Sequence, residues 1–113
     1  MKIISTQVSL DELREMANKN YNRLVKAVVD IDKKIMAVDA DLHADEEKLL
    51  LENGSKQESL WGINIFPEEA EDERIEYDSM INIRPFQDNR TRDVENADIR
   101  ERIKKIVQKL INK

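Results

Sequence analysis

Apolar residues along this chain keep two different spacings. Over 24–39, Val25, Ala27, Val29 and Ile31 alternate with Lys26, Asp30 and Asp32, and Ile35-Met36-Ala37-Val38 follows a polar Asp32-Lys33-Lys34. A two-residue period is that of a strand with one face on a core, so this segment reads as a β-hairpin turning at 32–34. Over 97–112, Ile99, Ile103, Ile106, Val107 and Leu110 instead recur at steps of three and four residues. That is one stripe of an amphipathic helix, and the lysines of its last turns suit the negative end of the helix dipole. A chain carrying both patterns has to lay helices on a sheet.

The remaining segments extend this picture. Lys2-Ile3-Ile4 is strand-like, and Ser9 with Glu12 three residues on forms a capping box for a helix over 10–19, stopped in the Asn18–Asn22 region. Residues 40–55 admit two readings. Leu42, Leu49 and Leu50 fit a helix stopped by Gly54, whereas Asn53-Gly54 also suits a hairpin turn after a strand at 48–52, and the strand reading is preferred. Leu60–Phe66 alternates up to Pro67, with Gly62 marking a bulge or close backbone approach and Trp61 in core phase. A hydrophilic acidic loop (68–73) precedes a further alternating strand over Arg74–Arg84, and 86–96 is an irregular connection. The order without βαβ alternation predicts an α+β fold over a single domain, 1–113. It is an antiparallel meander of about five strands, with an N-terminal helix and a long C-terminal helix packed on one face.

Composition narrows function by exclusion. The 113 residues include no cysteine, one histidine and two glycines. That rules out disulfides, thiolate metal sites, sites built on several imidazoles and glycine-rich phosphate loops. No apolar run approaches a membrane span, and the amino-terminal stretch lacks the apolar core of a signal peptide, so a cytoplasmic protein is expected. The net charge of −5 hides a segregation: residues 1–38 carry 7 basic and 5 acidic groups, 39–79 carry 3 and 14, and 82–113 carry 9 and 5. Such a chain can pair its acidic middle with its basic tail, within one molecule or between two.

Two clusters are chemical candidates. His43, followed by Asp45, Glu46 and Glu47, is the one side chain suited to act as a base near neutral pH, though neighbours in one turn seldom converge. Arg84, Asn89, Arg90 and Arg92 gather guanidinium forks and an amide before the last helix, a pattern suited to a phosphate or carboxylate, or to ion pairs with the acidic middle. Nucleic acid is a poor expectation, because the aromatic residues Tyr21, Trp61, Phe66, Tyr77 and Phe86 are scattered and the chain is acidic. The modest basic face of Arg100, Arg102, Lys104, Lys105 and Lys109 is interrupted by Glu101. No metal and no cofactor are expected.

The strings LWGIN, IEYDSMINIRP and NRTR, within a stretch from about Val25 to Leu110, resemble a small prokaryotic family of unknown function. The members it resembles carry glycine near the positions held here by Lys34, Asp39 and Ala40. The resemblance implies an intracellular prokaryotic protein and supplies no activity. Taken together, the sequence leads to a non-enzymatic, cytoplasmic module that binds a protein partner or itself. The alternative is a small-anion binder (phosphate or nucleotide) or simple hydrolase built on Arg84, Arg90 and Arg92.

Overall fold

The computed structural model describes residues 1–19 and 23–112. Its elements are β1 (Lys2–Ile4), β2 (Val8–Ser9), α1 (Leu10–Asn18), β3 (Val25–Asp30), β4 (Ile35–Val38), α2 (His43–Glu52), β5 (Leu60–Ile65), β6 (Ile75–Glu76), α3 (Ala97–Leu110) and β7 (Ile111–Asn112). Five strands form one antiparallel sheet in the order β1-β4-β3-β5-β6, and β2 pairs with β7 in a two-stranded parallel ribbon. The fold is α+β, with α3 on the sheet. The strands do not lie in chain order: α2 carries the chain from β4 past β3, so that β5 pairs with β3 from its other side.

Each helix end has a local cause. The Ser9 hydroxyl accepts from the Glu12 N–H at 3.0 Å and donates back to the Glu12 carboxylate at 3.3 Å, so the anticipated capping box opens α1. Part of the anticipated stop, residues 20–22 with Tyr21, lies outside the described residues. Asn96 caps α3 by accepting from the N–H groups of Asp98 and Ile99.

The strand reading of 40–55 is overturned, because 43–52 is helical. At its end the N–H of Ser55 donates to Leu50 and that of Gly54 to Leu51, the paired bonds of a Schellman stop, with Gly54 at φ +94° in the conformation only glycine adopts freely. Asn53-Gly54 therefore ends a helix and turns no hairpin. The strand expected over Arg74–Arg84 is also corrected: only Ile75–Glu76 pairs, with Asn64 and Ile65, after which the chain folds over the sheet.

Together these two segments cover the second face of the sheet. On the first face Val25, Ala27, Val29, Met36, Trp61 and Ile63 meet α1 through Leu13 and Met16, and α3 through Ile103, Ile106 and Val107. On the second, Val28, Ala37 and Leu60 pack on Leu50 of α2, with Ile81 partly buried beside them. Every residue of β5 is buried as a result. The expectation of helices on one face alone is thereby replaced by three layers.

One buried side chain breaks the apolar pattern. Glu46 is fully buried on the inner side of α2, where one carboxylate oxygen accepts from the Ala40 N–H at 3.1 Å and the other has no partner. Burial pushes its carboxyl up to about 9, so it is neutral at pH 7. The folded chain thus holds a proton that the unfolded chain gives up above the usual 4.5. Stability from this group is complete below 4.5 and declines as pH rises toward 9, by up to about 1.4 kcal/mol per pH unit. Glu46→Gln keeps the acceptor for Ala40 and cannot ionise. In urea melts at several pH values, the gap between the two proteins is expected to widen in favour of the variant from pH 5 to 8. Parallel curves would contradict a neutral buried carboxyl.

Candidate functional site

The side chains singled out in the sequence gather in the layer that covers β5. Lacking a side chain, Gly62 lets that layer come close: a Cβ there would lie 2.5 Å from the Ser79 Cβ and 3.1 Å from Ile81. Asn82, fully buried, uses the gap. Its Oδ1 accepts from the Gly62 N–H at 2.8 Å and its Nδ2 donates to the Gly62 carbonyl at 2.9 Å. A side-chain amide thus stands in for the neighbouring strand that β6 is too short to provide, and leaves neither backbone group unpaired. The same Nδ2 donates to the Arg92 carbonyl at 2.9 Å, tying the outgoing chain to the incoming one.

Asn89 repeats the device one turn further on. Its Nδ2 donates to the carbonyls of Asn82, Thr91 and Asp93, while its Oδ1 accepts from the Glu95 N–H at 2.9 Å. Arg84 and Asn89 face each other in a backbone bridge, and the tight turn between them, Pro85-Phe86-Gln87-Asp88, closes with Asp88 in the left-handed region at φ +59°. Arg84 points inward. Its two terminal nitrogens donate to the carbonyls of Gln57 and Leu60, the latter at 2.6 Å, and its guanidinium lies 4.2 Å from the centre of the Trp61 ring. Burial lowers its affinity for a proton, opposed by the charge of Glu47.

The other two arginines are at the surface. Arg92 donates through Nε to Asp78, an ion pair of the basic tail with the acidic middle inside one molecule. Exposed Arg90 sits where Glu95 accepts from its N–H, from the Thr91 N–H and from the Thr91 hydroxyl. Those contacts, the Thr91 hydroxyl first, hold the Glu95 carboxyl below its usual range. The sequence-level cluster is therefore divided: Arg84 and Asn89 build the turn, Arg92 pairs with Asp78, and Arg90 stays on the rim.

His43 opens α2 and meets Arg92 in one cleft of about 380 Å³. Its floor includes a row across three strands, Lys26 beside Asn64 beside Glu76, in register. Asn64 donates to Glu76 at 2.7 Å, while its buried Oδ1 has no partner. His43 Nε2 lies 2.7 Å from the Ile63 carbonyl, which requires a proton on that nitrogen. Burial lowers the His43 pKa, so the ring is neutral at pH 7. Such a row of donors and acceptors can orient a polar group. Among the described residues no three His, Asp or Glu side chains are placed to hold a metal ion.

Lys26, Asn64, Glu76 and Asp78 were not singled out as site residues. The signal was present: they occupy the polar phase of three alternating segments, and cross-strand register brings that phase together.

LWGIN is thus β5, INIRP the strut over it, and NRTR the loop tied to both by Asn82 and Asn89. Residues 2–110 match a family described as Protein of unknown function (DUF5674). The chain belongs to DUF5674. No curated protein and no solved structure matches it. In this DUF5674 protein, among the described residues, no helix is long and apolar enough to cross a membrane.

The strut separates structural from surface roles. Asn82→Ala leaves the buried Gly62 N–H and carbonyl unpaired and is expected to cost roughly 3 kcal/mol. Phe86→Ala, at a side chain 79% exposed, is expected to change stability by less than about 0.5 kcal/mol. Equal midpoints in chemical denaturation would contradict the strut.

Proposed function

We propose that this protein is a non-enzymatic binding module that engages a protein partner through the layer covering β5. One observation carries the reading: Met80, Ile83 and Phe86, at 65%, 39% and 79% exposure, are held outward in a stretch whose inward side chains are buried and hydrogen-bonded. Exposed apolar side chains on a rigid frame fit recognition, because little conformational freedom is lost on binding and aromatic anchors carry much of the affinity. Leu42, 56% exposed, joins Met80 at the His43 cleft, so apolar and polar contacts adjoin.

The non-enzymatic part rests on how the candidate groups are used. His43 donates its Nε2 proton to a backbone carbonyl, and the Ser79 hydroxyl accepts from the Ile81 N–H at 3.3 Å. Arg84, the arginine nearest the core, directs its terminal nitrogens at backbone carbonyls. A cytoplasmic setting, implied by the resemblance, belongs to the same proposal.

Photo-crosslinking tests it. With Phe86 replaced by benzoylphenylalanine in the full chain, irradiation of the producing cells is expected to give one discrete adduct. Met80→Asp together with Ile83→Asp should abolish it. An adduct of twice the chain mass identifies a second copy as the partner. No adduct, or adducts indifferent to those substitutions, would overturn the proposal.

A further inference from the structure

A larger cleft than that at His43 lies where the C-terminal half of α3 meets the turn between β3 and β4 and the 5–6 loop. Its volume is about 580 Å³, within the range of small-molecule sites. Lys33 and Lys34 come from the turn, and Arg102, Lys105 and Lys109 from one stripe of α3. Among the described residues no carboxylate lines it, in a chain whose net charge is −5. Ile31, Ile106 and Leu110 supply an apolar floor, and Ser5 and Thr6 bring hydroxyls to the rim.

Two of the five cations are held by contacts that leave their charge unneutralised. Arg102 donates to the Ile31 carbonyl at 3.2 Å and Lys33 to the Asn53 carbonyl at 3.2 Å. Neither partner is an anion, and among the described residues Lys34, Lys105 and Lys109 have no carboxylate within ion-pair distance. The turn is built from beneath by Asp30, 1% exposed, which accepts from the N–H groups of Asp32 and Lys33 and from the Ser55 hydroxyl at 2.6 Å. Lys34 itself adopts φ +59°, a left-handed conformation that costs a side-chain-bearing residue about 1 kcal/mol. Lys34 stands in this cleft with four other cations, a charge repulsion that an anionic ligand would relieve.

From this we infer that the cleft binds a small organic phosphate with more than one negative charge and an apolar or aromatic portion. Lysine ammonium groups suit phosphate oxygens as point charges, and Arg102 adds a fork. The apolar floor gives the remainder of the molecule a surface that an inorganic ion cannot use. Five cations, with no carboxylate among the described residues beside them, favour a multiply charged anion such as a diphosphate over a monocarboxylate.

Calorimetric titration of the full chain with adenosine diphosphate, pyrophosphate, adenosine and a short DNA duplex tests this. Adenosine diphosphate is expected to saturate one site, at least about tenfold tighter than pyrophosphate, with affinity falling as salt rises. Lys105→Ala with Lys109→Ala, both exposed, should weaken it at least about tenfold, while the charge-matched Lys56→Ala with Lys104→Ala should not. No saturable binding, equal loss in both double variants, pyrophosphate binding as tightly, or duplex binding without the nucleotide would each overturn the inference. Because the cleft is separate from Phe86 and Met80, the nucleotide result stands or falls independently of the crosslinking result.

Discussion

The contact between Asn82 and Gly62 sets the terms for the rest of the molecule. β5 is buried on both faces and flanked on one side by β3, but β6 covers only two residues of its other side. An unpaired N–H and carbonyl at Gly62 inside the protein would cost several kcal/mol together. A single carboxamide, presenting one donor and one acceptor at the spacing of a strand, satisfies both. It reaches them because Gly62 has no side chain to hold Ser79 and Ile81 away. The strut, the Arg84 turn and the exposed apolar side chains all follow from that approach.

Charge is arranged by the same economy of position. The acidic middle contributes Asp78 to the Arg92 pair and Glu68 to a pair with Arg14 at 3.1 Å, while Glu46 is buried and neutral. The basic tail places Arg84 over Trp61 and leaves the α3 stripe beside Lys33 and Lys34. Cations and anions thus pair around α1 and in the layer over β5, while among the described charged residues cations alone line the cleft beside the C-terminal half of α3.

Regular apolar spacing made β3, β5, α1 and α3 legible in the sequence, and the apolar run Ile35–Val38 made β4 so. It failed where burial was not apolar. Glu46 occupies an inward position of α2 and breaks the stripe that would have declared a helix, leaving Asn53-Gly54 to suggest a hairpin. Over 74–84 the alternation of Ile75, Tyr77, Ile81 and Ile83 imitates a strand, yet the pairing that would sustain it is taken by the Asn82 side chain. The arginine cluster could be seen as a group, but which way each guanidinium turns depends on carbonyls of 57 and 60 that no local pattern reveals. The basic cleft was legible only in half: the α3 stripe was visible, while Lys33 and Lys34 arrive through the tertiary fold.

Amide hydrogen exchange at Gly62 tests the central contact most directly, because its N–H is bonded to a side chain and to no strand. With Asn82 standing in for a strand, this amide exchanges as slowly as the amides that join β3 to β5, opening only with global unfolding. Exchange at the rate of a surface loop would show that Asn82 does not replace a strand, and the strut built on it would fall.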